Sequence, residues 1–195
     1  PDGAPLGSCF ALDSMGGEGP FIGMKWSRIW GVWNTWYFIE REQGKYNWST
    51  LDKQVEEILK SGMEVMYTVH GIPDWYAIRP APKGHYGHDA WPPKDIEDFK
   101  RFVRALATRY KGKIKAYDIF NEQIRGMALA QGFDRCSSHE YFRLLKAAYE
   151  AIKEVDPAAL VLGINDFPLS PTKTPDRGMQ EGFEEVFKLG GAKFM

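Results

Sequence analysis

Ile114-Lys115-Ala116-Tyr117-Asp118-Ile119-Phe120-Asn121-Glu122-Gln123 reads as a strand that delivers an Asn-Glu pair at its carboxyl end. Alternation places Ile114, Ala116, Asp118, Phe120 and Glu122 on one face. The run follows a helical pattern from Phe99 to Tyr110 and the stop Lys111-Gly112-Lys113. That order makes it the strand of a βα unit, and in parallel α/β proteins the carboxyl ends of strands carry the chemistry. An Asn-Glu dipeptide is common, and a carboxylate in that place can equally cap the next helix.

Working outward, the same alternation of element types recurs on both sides. Ser49 to Asp52 reads as a capping box, with Leu51, Val55, Ile58 and Leu59 at helical spacing and Gly62 as the stop. Met63 to His70 then reads as a strand, ending in Gly71-Ile72-Pro73-Asp74-Trp75. Upstream, residues 23–30 alternate as a strand with Arg28 near its end, and Pro5 to Leu12 is a short apolar run taken as a first strand. Downstream, Ser137 to Glu140 is a second capping box, opening a helix with Phe142, Leu145, Tyr149 and Ile152 inward. Ala159 to Asn165 is a buried strand, Phe183, Val186 and Phe187 mark a helix, and residues 192–195 resemble the opening of another strand.

Strands alternating with helices at this spacing predict an α/β fold, either a TIM-type (β/α) barrel or a doubly wound sheet. No glycine-rich phosphate-binding pattern follows any strand, which counts against the nucleotide-binding sheet. Polar and aromatic residues at several strand ends favour the barrel. With about five to six of eight βα units in 195 residues, the barrel is expected to be incomplete.

Composition bounds the partners. The formal net charge is −1, from 25 basic and 26 acidic residues, so neither nucleic acid nor an anionic membrane is an expected partner. Two cysteines are too few for a disulfide framework. Seven Trp lie in the chain, several in loop-like segments (Trp33, Trp36, Trp75, Trp91), where flat rings suit the apolar faces of sugars or fill an aromatic core. His85 and His88 lie in a proline-rich loop with no third ligand at a recognisable spacing, so no metal and no cofactor is expected.

Trp26-Ser27-Arg28-Ile29, Ile39-Glu40 through Gly44 to Tyr46 and Trp48, Tyr67 to Trp75, and Arg109-Tyr110-Lys111-Gly112 leading to Asn121-Glu122 together resemble the clan A glycoside hydrolases. The resemblance is strongest to the β-xylosidase and α-iduronidase branch or a cellulase-like relative, and it covers about residues 5 to 167. It implies a retaining hydrolase of β-glycosidic bonds, with Glu122 as general acid/base and Asn121 bonding the hydroxyl beside the anomeric carbon. Arg28 would orient the nucleophile, His70 and Trp75 would line the sugar subsite, and Asp118 would be a structural partner one step deeper. The family's nucleophile is a Glu ending a seventh strand, so these 195 residues are expected to be the amino-terminal portion of the domain, without it. Glu181, Glu184 and Glu185 fall on a predicted helix and do not fill that role, and Asp166 ends the wrong strand. The partner expected is a carbohydrate, and an extracellular or periplasmic location is suspected. A carbohydrate-binding pseudoenzyme remains the alternative, with a metal-dependent (β/α) enzyme using His70, His85 or His88 as a third class.

Overall fold

The computed structural model describes residues 12–13, 25–80, 91–121, 138–164 and 177–195. Their strands are β1 (Leu12–Asp13), β2 (Trp26–Ile29), β3 (Glu64–Val69), β4 (Ile114–Ile119) and β5 (Leu160–Leu162). They form one parallel sheet in the order β1-β2-β3-β4-β5. The helices are α1 (Trp36–Ile39), α2 (Ser49–Lys60), α3 (Ile96–Arg109), α4 (Ser138–Val155) and α5 (Arg177–Lys188). A parallel neighbour in sequence order with helical crossovers is the (β/α)-barrel arrangement expected from the pattern.

Each helix forms where its apolar residues share a face. Leu51, Val55 and Ile58 are buried on α2, and Phe99, Phe102, Val103, Leu106 and Ala107 on α3. Full burial contributes about 1.5–3 kcal/mol for each Leu, Val, Ile or Phe among them, and less for Ala107. Small residues Ala147, Ala148 and Ala151 line the buried face of α4, which packs beside α3. Lys100–Glu150 (3.1 Å) and Arg104–Glu154 (2.8 Å) join the outer edges of that pair. Asp95 caps α3 by accepting from the Glu97 N–H at 2.9 Å, and Gly62 and Gly112 follow α2 and α3 with φ of 79° and 71°.

Several expectations fail locally. The Ser49–Asp52 capping box does not form: the helix begins at Ser49, and Asn47 Oδ1 accepts from the Ser49 N–H. Asp52 instead accepts two bonds from Arg109 (2.8 and 2.5 Å) and one from the Tyr110 hydroxyl (2.8 Å). A bidentate guanidinium outcompetes one backbone donor. Those bonds to Arg109 hold the Asp52 carboxyl below its usual range. Ser137 and most of the expected first strand lie outside the described residues. Phe142 and Tyr149 are only partly buried and meet Phe194 edge-on. Phe194 itself ends a 3-10 turn, Gly191–Phe194, where a strand was expected. Gly190 at φ 90° turns the chain there, and a Cβ on Gly191 would stand 2.8 Å from the Val186 carbonyl oxygen.

Candidate active site

β4 is shorter than its sequence suggests. It ends at Ile119, because Phe120 takes a left-handed backbone with φ 61°. A bulky residue held there costs roughly 1–2 kcal/mol. The Phe120 N–H bonds to the Val69 carbonyl at 3.0 Å, and its ring stacks on Phe99 of α3 at 6.0 Å. Strict alternation placed Phe120 beside Asp118, facing inward. The kink puts Phe120 on the helix side, and the next residue, Asn121, reaches the group that Asp118 holds.

That group is Arg28. Its Nη2 donates to Asp118 Oδ2 at 2.7 Å and to Asn121 Oδ1 at 2.8 Å, while Nε donates to Thr68 Oγ1 at 2.9 Å. Thr68 passes its own hydrogen to Asp118 Oδ2 at 3.2 Å. Three adjacent strands thus contribute one residue each, and Asn121 follows directly. Asp118 is 3% exposed, so its pairing with Arg28 runs through a medium where a lone charge would be costly. With its oxygen held by Arg28, the NH₂ is the donor end of the Asn121 amide.

His70 follows β3 and is buried, stacked against Trp30 with centroids 6.4 Å apart. Trp30 in turn lies under the Arg28 guanidinium at 5.8 Å. Trp75 is half-buried beside Tyr37, with ring centroids 6.2 Å apart. Arg28, Asp118 and Asn121 are therefore in direct contact, His70 joins them through Trp30, and Trp75 stands on the neighbouring loop. Glu122, Asp166, His85 and His88 lie outside the described residues. Among the described residues no three His, Cys, Asp or Glu side chains cluster as metal ligands.

Sequence reading missed the framework behind these loops. Glu40 is fully buried, and its carboxylate accepts from the Trp36 indole N–H (2.5 Å), the Gly44 N–H (2.6 Å) and the Tyr76 hydroxyl (2.8 Å). Burial, and next the bond to Glu40, push the Tyr76 phenol up to about 12. Trp36 was grouped with loop aromatics, yet it is 1% exposed and sandwiched between Tyr76 (5.1 Å) and Phe102 (4.9 Å). The backbone N–H groups of Trp36 and Tyr37 bond to the carbonyls of His70 and Gly71 at 2.8 and 2.7 Å. At Gly71, φ is 79° and a Cβ would fall 2.3 Å from the Thr35 Cβ. The segments after β2 and β3 are thereby fastened to each other. The signals available were the buried-looking spacing of Trp36 and Glu40, one helical turn apart, and the glycine at 71.

Tyr141 does the same for the other edge. Its hydroxyl accepts from the Ile164 N–H at 2.6 Å and donates to the Ile119 carbonyl at 3.2 Å. Ile164, like Phe120, has φ 61°. The carboxyl ends of β4 and β5 are pinned together where both chains turn.

A parallel sheet with its polar cluster at the carboxyl ends of β2, β3 and β4 matches a known family over most of the chain: the model for glycosyl hydrolase family 10 covers residues 33–186. The chain belongs to glycosyl hydrolase family 10. This places the clan A resemblance in one family. Among relatives, endo-1,4-beta-xylanase 2 of Arabidopsis thaliana is 28% identical over 173 residues, covering 84% of this chain and 14% of that protein. Endo-1,4-beta-xylanase 3 of Hypocrea jecorina is 28% identical over 137 residues, 69% of this chain and 36% of its own length. The chain thus spans well under half of either relative. Among solved structures, xylanase 10B from Thermotoga maritima aligns with a TM-score of 0.55 at 20% identity, covering 86% of this chain and 49% of that one. A family 39 glycoside hydrolase from Bacteroides cellulosilyticus aligns with a TM-score of 0.51 at 17% identity, covering 72% and 26%. At such identities the structures establish the fold, an incomplete TIM-type barrel.

Proposed function

We propose that the chain is the amino-terminal portion of a family 10 catalytic domain spanning residues 1–195, a retaining glycosidase that cleaves β-1,4-linked xylan. Glu122 is its general acid/base. The observation that carries this reading is Asn121, held through its oxygen by Arg28 just past the end of β4, one residue before Glu122 in the sequence. Family membership and the xylanase relatives support the substrate.

In this reading the sugar hydroxyl beside the anomeric carbon accepts from Asn121. Glu122 protonates the departing glycosidic oxygen and later removes a proton from the water that releases the product. The second carboxylate of a retaining pair stands about 5 to 5.5 Å from the first and forms the glycosyl-enzyme intermediate. We place it outside these 195 residues, on a later strand. Arg28 serves that carboxylate indirectly: it fixes Asn121, and its positive charge beside the site favours the ionised form of a nearby acid. His70 and Trp75 wall the sugar subsite.

The test is Glu122→Gln in the polypeptide that supplies both carboxylates, assayed on xylan and on aryl β-xylosides with activated leaving groups. Loss of an acid catalyst lowers kcat on xylan by about 10²–10⁴. The loss is smaller on activated aryl xylosides, whose leaving group departs without a proton. An undiminished rate on xylan removes Glu122 from the role. The 195-residue chain alone is expected to bind xylo-oligosaccharides without turning them over.

A further inference from the structure

The structure divides the tryptophans that the sequence grouped together. Trp36 is core, and Trp75 and Trp91 are half-buried, but Trp33 is 68% exposed. It sits in the 3-10 turn Val32–Asn34 that follows β2, five residues beyond Arg28, which is at most about 17 Å of chain. The ring is held at its edge by Phe38, with centroids 4.8 Å apart at 67°. Phe38 meets Tyr37 at 5.2 Å, and Tyr37 meets Trp75 at 6.2 Å. The Arg41 guanidinium lies over Phe38 (4.2 Å) and Tyr37 (4.9 Å). A line of aromatic rings therefore leads from the loop after β3 to an exposed indole on the loop after β2.

We propose that this ridge binds a glycan, with Trp33 as a stacking platform for a sugar unit distant from the bond that is cleaved. The proposal rests on the reading of the chain as a family 10 xylanase and adds a residue to its substrate site. A pyranose ring presents an apolar face of C–H groups, which an indole face covers without any charge, and the ridge's one cation is already engaged over Phe38 and Tyr37. The other exposed large hydrophobics among the described residues are Ile78, Leu160, Phe187 and Met195. Leu160 opens β5 at its amino end and Phe187 lies on α5, so they build no common patch with Trp33. A stable protein interface buries about 1,200 Å² or more, whereas a sugar needs one ring.

Calorimetric titration of the 195-residue chain with xylobiose and xylohexaose tests this in the wild type, Trp33→Ala and Trp33→Phe. The indole is exposed, so both variants should fold. The expected result is that Trp33→Ala weakens xylohexaose binding about 5- to 10-fold and leaves xylobiose unchanged, with Trp33→Phe restoring most of the loss. Equal affinity of Trp33→Ala and wild type for xylohexaose overturns the ridge and leaves the catalytic reading standing. So does a loss that is the same for both sugars. A wild type that binds neither sugar overturns the ridge, while the catalytic reading stands or falls separately on Glu122→Gln. Sedimentation in parallel adds one further outcome: a wild-type dimer lost in Trp33→Ala assigns the ring to a second copy of the chain and ends the proposal.

Discussion

Arg28 reaches Asp118 and Asn121 with the same nitrogen, at 2.7 and 2.8 Å, so one guanidinium neutralises a buried acid and fixes the Asn121 amide by its oxygen. Arg28→Lys keeps the charge and loses the fork. We expect stability to fall by about 1–3 kcal/mol, because an ammonium cannot serve Thr68, Asp118 and Asn121 together. Xylo-oligosaccharide affinity should fall by at least about tenfold as Asn121 loses its anchor. Denaturant unfolding and calorimetric titration measure the two losses. A variant with wild-type affinity would mean that Asn121 is positioned by something other than Arg28.

Glu40→Gln replaces a carboxylate that accepts three hydrogen bonds by an amide with one acceptor and one donor end. The NH₂ must then face an N–H or O–H donor inside the core. The expected cost is about 2–4 kcal/mol, together with altered near-ultraviolet circular dichroism from Trp36. Trp36 and Gly44 bond different oxygens and neither N–H can turn into an acceptor, so unchanged stability and spectrum would contradict this account of the network.

The same linkage predicts an alkaline limit. Tyr76 is pushed from 10.0 to about 12, chiefly by burial, and burial also raises Tyr67, Tyr110 and Tyr117. A folded-state value above the unfolded one means that the stabilisation is fully present below pH 10.0 and is lost as pH climbs through 12. Spectrophotometric titration should show these phenols ionising together with unfolding. Four independent, reversible ionisations in folded protein near pH 10.0 would contradict it.

Gly71→Ala tests the fastening of the two loops. The new Cβ meets Thr35 at 2.3 Å on a backbone with φ 79°, so strain and overlap add. About 2–4 kcal/mol is expected, since neither the β-carbon of Thr35 nor the backbone can swing away. A shift of less than about 1 kcal/mol in chemical denaturation would show that the loop after β3 moves freely.

The βα rhythm was legible because α2 and α3 each carry one dominant period, and because glycines with positive φ follow α2, α3 and β3 closely. The inward set on β4 was legible only as far as Asp118. Nothing in the side chain of Phe120 announces a left-handed backbone, which is imposed by its hydrogen bond to Val69 and its ring on Phe99. Arg28 was singled out by its strand-end position, but its partners Thr68, Asp118 and Asn121 lie 40, 90 and 93 positions away, distances that no local pattern spans. Glu40 was quoted for its motif and not for its burial. A carboxylate in a loop is normally solvated, and only the converging donors from two loops make its burial tolerable.

Glu40 and Gly71 together make the segments after β2 and β3 a single inherited part. Exchange of either loop alone would separate Glu40, Trp36 and Gly44 from Tyr76, and Thr35 from Gly71. Recombination between relatives should therefore be tolerated when residues 31–77 move as a block and rejected when the crossover falls between them.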